Sequence, residues 1–308
     1  MSIPLPLSNL GRTGLKVTRL SYGAMEIRGS RIWGGRPVTE QQAEKILNTV
    51  LDSGINFIDT ANDYGRSEEF IGKYIANRRH EYYLATKCGC TVVRKDETTD
   101  DTPHIWTSDN LFRGLHESLQ RMMTDYVDIM QLHNPPVEET EKNNLVDVLN
   151  EMKQQGKIRF VSISTTLPHL PTYLKWGVFD TFQIPYSALE RVHEDWISLV
   201  ARAGIGTIIR GGVARGEAGV GMGNQDRWKK YEDAGLDTLR EAGESRTAFL
   251  LRYTLSHPDI NTTIVGTLYP DHLKENVEAA LRGPLPPDVY AEAKQRLSKA
   301  GEIPDQAA

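Results

Sequence analysis

Eight times along the chain an apolar run of strand length gives way to a segment with helical spacing. That unbroken alternation limits the possible folds more than any other feature of the sequence. TRLSYGAM (18–25) leads to TEQQAEKILNTVLDSG, where Ala43, Ile46, Leu47, Val50 and Leu51 form one apolar stripe that stops at Gly54. INFIDT leads to RSEEFIGKYIAN. YYLATK (82–87) leads, after a long loop, to TSDNLFRGLHESLQRMM, in which Thr107, Ser108 and Asp109 supply cap chemistry ahead of Leu111, Leu115, Leu119 and Met122. YVDIMQLH precedes NNLVDVLNEMKQQG, IRFVSIS precedes LPHLPTYLKWG, and DTFQIPY precedes HEDWISLVARAG. IGTIIR precedes a glycine-rich loop and a long helical stretch ending near Ser256, and NTTIVGT precedes PDHLKENVEAAL. A last helix, near 287–299, has no strand after it.

Strands that alternate with helices pair in parallel. Eight such units, with no composition shift or linker between them, predict a closed (β/α)8 barrel of the TIM type, as a single domain over residues 1–308. An open doubly wound sheet would need a glycine fingerprint after its first strand, and YGAMEIRGSRIWGG lacks the spacing.

In such a barrel the C-terminal strand ends converge on one mouth, so residues far apart in sequence become neighbours. Those ends carry Asp59, Lys87 and His133, with Ser164, Gln183 and Arg210 on later strands and Tyr64 in the loop after the second strand. A phenol titrates near pH 10 and is a poor proton donor at neutrality. An ammonium beside it stabilises the phenolate and a carboxylate keeps the ammonium charged, while an imidazole can orient a substrate oxygen. The set makes a proton donor for a developing alkoxide, and carbonyl reduction by it would need hydride from a cofactor. Taken singly, Asp59 reads first as a helix cap and Tyr64 as a packing aromatic, while Lys87 also reads as an edge charge and His133 as a turn histidine; it is their joint placement that favours the site.

Composition excludes other classes. The 36 Lys and Arg against 41 Asp and Glu give a net charge of −5, which argues against a nucleic-acid surface or a basic membrane-facing patch. The two cysteines, Cys88 and Cys90, are too few for a disulfide framework, and MSIPLPLSNLG has neither the basic nor the apolar region of a secretion signal. A cytoplasmic protein is expected. No HExxH spacing or nucleophile elbow occurs, so no metal is expected.

The segments GINFIDTANDYGRSEEFIGKYI, YLATKCG, DYVDIMQLHNP and QGKIRFVSIST resemble, in order, the signature segments of the aldo-keto reductase family, in its bacterial-type or potassium-channel β-subunit-like branch. The resemblance runs from LGRTGLKVTRLSYGAM to IVGTLYPDHLKENVEAAL, and GRTGLKV resembles the family's N-terminal hairpin, which closes the barrel bottom. It implies a catalytic tetrad of Asp59, Tyr64, Lys87 and His133, and extra C-terminal helices. It implies a nicotinamide cofactor bonded through its carboxamide by Ser164 and Gln183 and stacked on by Tyr186. Gly23, Ala24 and Met25 match a first-strand segment beside the cofactor, and Glu275 and Asn276 match an adenine-contacting pair.

This chain also departs from the family pattern. Thr165 replaces the usual Asn, and Gly211, Gly212 and Val213 stand where many relatives read Ser-Pro-Leu. Where relatives hold the 2′-phosphate of NADP, this chain has Gly266, Thr267, Leu268 and His272, without Lys or Arg. NADP(H) is the family default, and the missing cations make NAD(H) the alternative. Arg210 reads equally as a pyrophosphate ligand or part of an interior ion pair, and the run RGGVARGEAGVGMGN as a flap over the pyrophosphate. Trp33, Trp106, Arg31 and His104 are expected pocket walls for a small carbonyl or alcohol. Two other functions stay open: a barrel lyase using Lys87 as a Schiff-base amine, and a cofactor-sensing binding subunit.

Overall fold

The computed structural model describes residues 4–307; residues 1–3 and 308, where the expected domain begins and ends, lie outside them. In chain order the strands are β1 (Leu7–Asn9), β2 (Lys16–Thr18), β3 (Leu20–Gly23), β4 (Phe57–Asp59), β5 (Tyr83–Cys88), β6 (Val93–Arg94), β7 (Asp100–Asp101), β8 (Val127–His133), β9 (Ile158–Ser164), β10 (Thr181–Pro185), β11 (Gly206–Arg210) and β12 (Thr262–Val265). The α-helices are α1 (Glu40–Asp52), α2 (Ser67–Ile75), α3 (Ser108–Arg121), α4 (Val137–Lys142), α5 (Leu145–Gln154), α6 (Leu170–Trp176), α7 (Glu194–Arg202), α8 (Gln225–Asp233), α9 (Arg246–Ser256), α10 (Pro270–Arg282) and α11 (Pro287–Lys299). A closed barrel runs β10-β11-β12-β3-β4-β5-β8-β9, so each of the eight sequence-predicted strands is a barrel strand. No helix of the described residues is long and apolar enough to cross a membrane.

Contacts group the chain into two compact units. The first contains Leu20 and the residues before it, Gln183–Val265, and the residues from Lys274 on. Here β1 and β2 form the expected antiparallel hairpin, with Leu7 opposite Thr18. Its turn lies against the start of β11: the Gly11 and Arg12 amides donate to Asn261 Oδ1 (3.1 Å) and the Gly204 carbonyl (2.8 Å). A side chain at Gly11 would come within 2.2 Å of the Gly206 nitrogen. The long helical stretch expected after the seventh strand is two helices, α8 and α9, with a 3-10 turn at Leu236–Leu239 between them. Gly235 enters that turn at φ +59, the left-handed region that breaks a helix.

The second unit, Ser21–Phe182 with Gly266–Leu273, holds the strands that matter most for the site. Its α1 shows why the local reading works. Thr39 and Gln42 form a reciprocal capping box, and Ala43, Ile46, Leu47, Val50 and Leu51 are all buried. Burying each of the larger aliphatics contributes roughly 1.5–3 kcal/mol. Gly54 then ends the helix at φ +81. In α3 it is Thr107 that caps, accepting from the Asn110 amide. The short α4 sits between β8 and α5 where the sequence reading had one helix. Ala24 and Met25 are also a correction: β3 ends at Gly23, and Ala24–Ile27 is a 3-10 helix rather than strand.

Candidate active site

Sheet register brings the polar strand ends of the second unit together. In the β4–β5 pair Asp59 lies opposite Ala85, and Lys87 is two residues further along, on the same face. In the β5–β8 pair Lys87 lies opposite Gln131, and His133 is two residues beyond that. The side chains meet accordingly. Lys87 Nζ donates to Asp59 Oδ1 (2.6 Å) and to the Thr60 carbonyl (2.8 Å), and Gln131 Nε2 donates to Asp59 Oδ2 (2.7 Å). Asp59 and Lys87 are each only 1% exposed, so their charges face each other away from solvent.

Tyr64 is delivered by a pinned turn. The Thr60 amide donates to the Ala85 carbonyl (2.9 Å), the Tyr64 amide to Ala61 (3.0 Å) and the Ser67 amide to Tyr64 (2.8 Å). Ser67 Oγ anchors the turn to the Ala24 carbonyl at 2.9 Å. Gly65, at φ +45, has no room for a side chain, whose Cβ would sit 2.2 Å from the Arg28 carbonyl oxygen. The Tyr64 ring centroid is 4.8 Å from Lys87 Nζ and 6.1 Å from the His133 ring.

The electrostatics depart from the sequence expectation in one respect. Lys87 was expected to make the phenol more acidic, but Tyr64 is pushed above the ordinary tyrosine range. Burial is the largest cause; the Lys87 ammonium pulls the other way, and Asp59 and Asp63 add to the rise. The phenol therefore holds its proton. Lys87 is itself raised: burial disfavours the ammonium, but Asp59 and Tyr64 more than offset it.

Three participants escaped the sequence reading. Gln131 completes the polar surroundings of Asp59, and its signal was its place two residues before His133 on one strand face. Asp63 is 1% exposed, and neither carboxylate oxygen has a hydrogen-bond partner among the described residues; His133 Nδ1 lies 3.5 Å from its Oδ2. Burial raises the Asp63 pKa, while the neighbouring Cys90 thiol and Lys87 lower it. Cys90 Sγ lies 3.1 Å from His133 Nδ1.

Aromatic rings extend from the tetrad on both sides. Trp33, half exposed, meets Tyr64 edge-on at 5.9 Å. His104 stacks on Trp106 at 5.3 Å and meets His133 edge-on at 5.8 Å. Arg31 is tied to Asp100, with Nε to Oδ2 at 2.8 Å, which links the Trp33 loop to the β6–β7 hairpin. Gly89 is what lets Trp106 lie where it does: its φ is +105, and an added Cβ would fall 1.9 Å from the indole. Gly89→Ala is expected to displace Trp106 and cost about 1–3 kcal/mol. Denaturant unfolding and tryptophan emission check this, and a wild-type spectrum and midpoint would contradict it.

The remaining expected residues are placed as follows. Ser164, 1% exposed, ends β9 and donates to Asn134 Oδ1 (3.0 Å), and Thr165 is equally buried. Gly266 follows β12, where a side chain would meet the Gly23 carbonyl oxygen at 2.5 Å, and Tyr22 donates to the Thr267 carbonyl at 2.9 Å. Exposed His272 packs edge-on against Tyr269 at 5.3 Å. In the other unit, Gln183 is buried in β10, and Arg210 ends β11 half-buried. Gly211 turns the chain at φ +76, and Val213 is buried. Asn276 is buried and Glu275 half-exposed. Tyr186 exposes nothing: its hydroxyl is shared between Glu194 (3.3 Å) and Tyr290 (3.4 Å), and its ring packs against Tyr253 and His257. Stacking on a bound ring would require its cover to move.

The barrel has known counterparts. The Aldo/keto reductase family model matches residues 19–297. The chain belongs to the aldo-keto reductase family. Among its relatives, the uncharacterized oxidoreductase YqkF of Bacillus subtilis is 30% identical over 292 residues, covering 88% of this chain and 90% of the relative. The NADH-specific methylglyoxal reductase of Escherichia coli is 32% identical over 200 residues, 60% of each chain. A holo-form structure of an aldo-keto reductase from Bacillus halodurans superposes with a TM-score of 0.79 at 28% identity, covering 96% of both chains. The family supports an oxidoreductase acting on small carbonyl compounds.

Proposed function

We propose that this aldo-keto reductase reduces an aldehyde or ketone to the alcohol, or runs the reverse oxidation, with Tyr64 exchanging the proton at the substrate oxygen. The observation that carries the reading is the Lys87 amine, 2.6 Å from Asp59 and 4.8 Å from the centre of the Tyr64 ring. A nicotinamide dinucleotide would supply the hydride for the carbonyl carbon. The residue types suit it: the hydroxyl of Ser164, buried at the end of β9, matches a carboxamide, and Gly266 leaves bare backbone where a Cβ would meet the Gly23 carbonyl oxygen at 2.5 Å.

Each chain residue then has a defined task. Tyr64 enters protonated and gives its proton as negative charge grows on the substrate oxygen. Lys87 stabilises the phenolate left behind, and Asp59, oriented by Gln131, keeps that amine charged. His133, at the side of the Tyr64 ring, orients the carbonyl. The same ion pair argues against the lyase, since a Schiff base needs a neutral amine and Lys87 is held as ammonium. The experiment is a panel of aldehydes, ketones and sugar alcohols with both reduced and oxidised cofactors. Turnover of none of them would sink the reading and favour a binding subunit.

NADP(H) is the family default, but a 2′-phosphate would find no Lys or Arg from Gly266 to His272, and it would forgo charge-assisted bonds of about 1.5–3 kcal/mol each. The relative named for NADH specificity agrees with that direction. We therefore expect NADH to bind at least as tightly as NADPH. Fluorescence titration of both measures this, and tighter binding of NADPH by tenfold or more, about 1.4 kcal/mol, would restore the default.

A further inference from the structure

Beside the tetrad, three soft or borderline donors come together that the reduction does not require as a group. Cys90 Sγ, a ring nitrogen of His104 and a ring nitrogen of His133 all lie within 4.8 Å of one another. They come from separate segments: Cys90 and His104 bridge the two sides of the loop between β5 and α3, and His133 closes β8. A second observation points to a ligand. The Asp63 carboxylate is 1% exposed, has no hydrogen-bond partner of ordinary geometry among the described residues, with the Cys90 thiol as its neighbouring support, and has one oxygen 3.5 Å from the His133 nitrogen that also faces Cys90 at 3.1 Å. A buried carboxylate left in this state lacks the compensation that such groups normally find.

We propose that Cys90, His104, His133 and Asp63 form a binding site for a divalent transition-metal ion, with Zn2+ the best match. One thiolate, two imidazoles and one carboxylate make a tetrahedral donor set of the kind Zn2+ takes. Bond lengths of about 2.3 Å to sulfur and about 2.0–2.2 Å to nitrogen and oxygen put neighbouring donors about 3.3–3.7 Å apart in a tetrahedron. Among Cys90, His104 and His133 the present spacings, 3.1–4.8 Å, bracket that value, and Asp63 adjoins this trio through His133 at 3.5 Å, so closing the trio needs movements of about an ångström and Asp63 joins as the fourth ligand by turning toward it. His104 is the member free to make them, being exposed on its loop while Cys90 and Asp63 are buried. Binding exchanges the Cys90 thiol proton for the metal, and that proton leaves to solvent. Because the catalytic reading assigns His133 to substrate orientation, an ion held there would place reduction under metal control; that consequence rests on the proposed function, and the site itself does not.

The test uses the whole chain without substrate or nicotinamide, with Co2+ as spectroscopic probe. Titration is expected to give one Co2+ per chain, with a thiolate-to-cobalt charge-transfer band and intense tetrahedral d–d bands, all bleached by added Zn2+. Cys90→Ser is expected to abolish the charge-transfer band. His104→Ala, at an exposed position, is expected to weaken binding by more than the about 10–100-fold that outer-sphere partners command. Cys88→Ser is expected to keep the wild-type spectrum. No charge-transfer band in the wild-type protein, or a band that survives Cys90→Ser, would overturn the site, as would binding indifferent to His104→Ala. Since none of these readouts involves turnover, a failure here and a failure of the reductase reading are separable.

Discussion

Replacing Tyr64 by Phe is expected to slow carbonyl reduction by about 10²–10⁴-fold, the range commonly supplied by a positioned proton donor. The change deletes one oxygen and leaves the ring against Trp33 and His133, so fold and cofactor affinity should be preserved. The expected pattern is a lost kcat with unfolding and nicotinamide titration near wild type. A pH profile adds a sign check. Tyr64 sits above the ordinary phenol, so it stays protonated at neutral pH and gives up its proton only as pH rises beyond that range. The wild-type reduction rate should therefore hold through neutrality and fall on an alkaline limb, and that limb should vanish in the residual activity of Tyr64→Phe. A variant that reduces carbonyls at the wild-type rate would remove Tyr64 from the chemistry.

Lys87→Met should be damaging in two ways at once. It removes the cation that stabilises the phenolate, and it takes the ion-pair partner from a carboxylate that is 1% exposed and bonded by Gln131. Breaking a buried pair from one side costs about 3–5 kcal/mol. That is a large fraction of the about 5–15 kcal/mol by which domains are stable. Denaturant unfolding should show the loss of stability, and turnover in the folded fraction should fall as in Tyr64→Phe. The two variants thus separate roles: one loses chemistry alone, the other chemistry and stability. A Lys87→Met protein of wild-type stability would mean that the Asp59–Lys87 contact is solvated and dispensable.

Much of this was legible in the chain because the signals were local. Strand and helix periods, the Thr39–Gln42 cap and the stop at Gly54 need no knowledge of distant residues, and the barrel rule turns strand ends into neighbours without coordinates. What was hidden depended on register and burial. Gln131 becomes a partner of Asp59 only once β8 is aligned against β5. The meeting of Cys90 with His133 depends on the backbone turning at Gly89, φ +105, which no spacing rule anticipates. The direction for Tyr64 was misread for a related reason: the charged partners could be counted from sequence, but the burial that outweighs Lys87 could not. Tyr186 is enclosed by Glu194, Tyr253 and Tyr290 from helices and by His257 just after α9, so its exposure was equally unreadable.

The most direct test of the central claim follows a label. With reduced nicotinamide carrying deuterium at its transferable C4 position, and an aldehyde that the protein turns over, mass spectrometry of the product should find deuterium bonded to the carbinol carbon. Alcohol formed without that label, or a borohydride-trapped substrate adduct on Lys87, would contradict it.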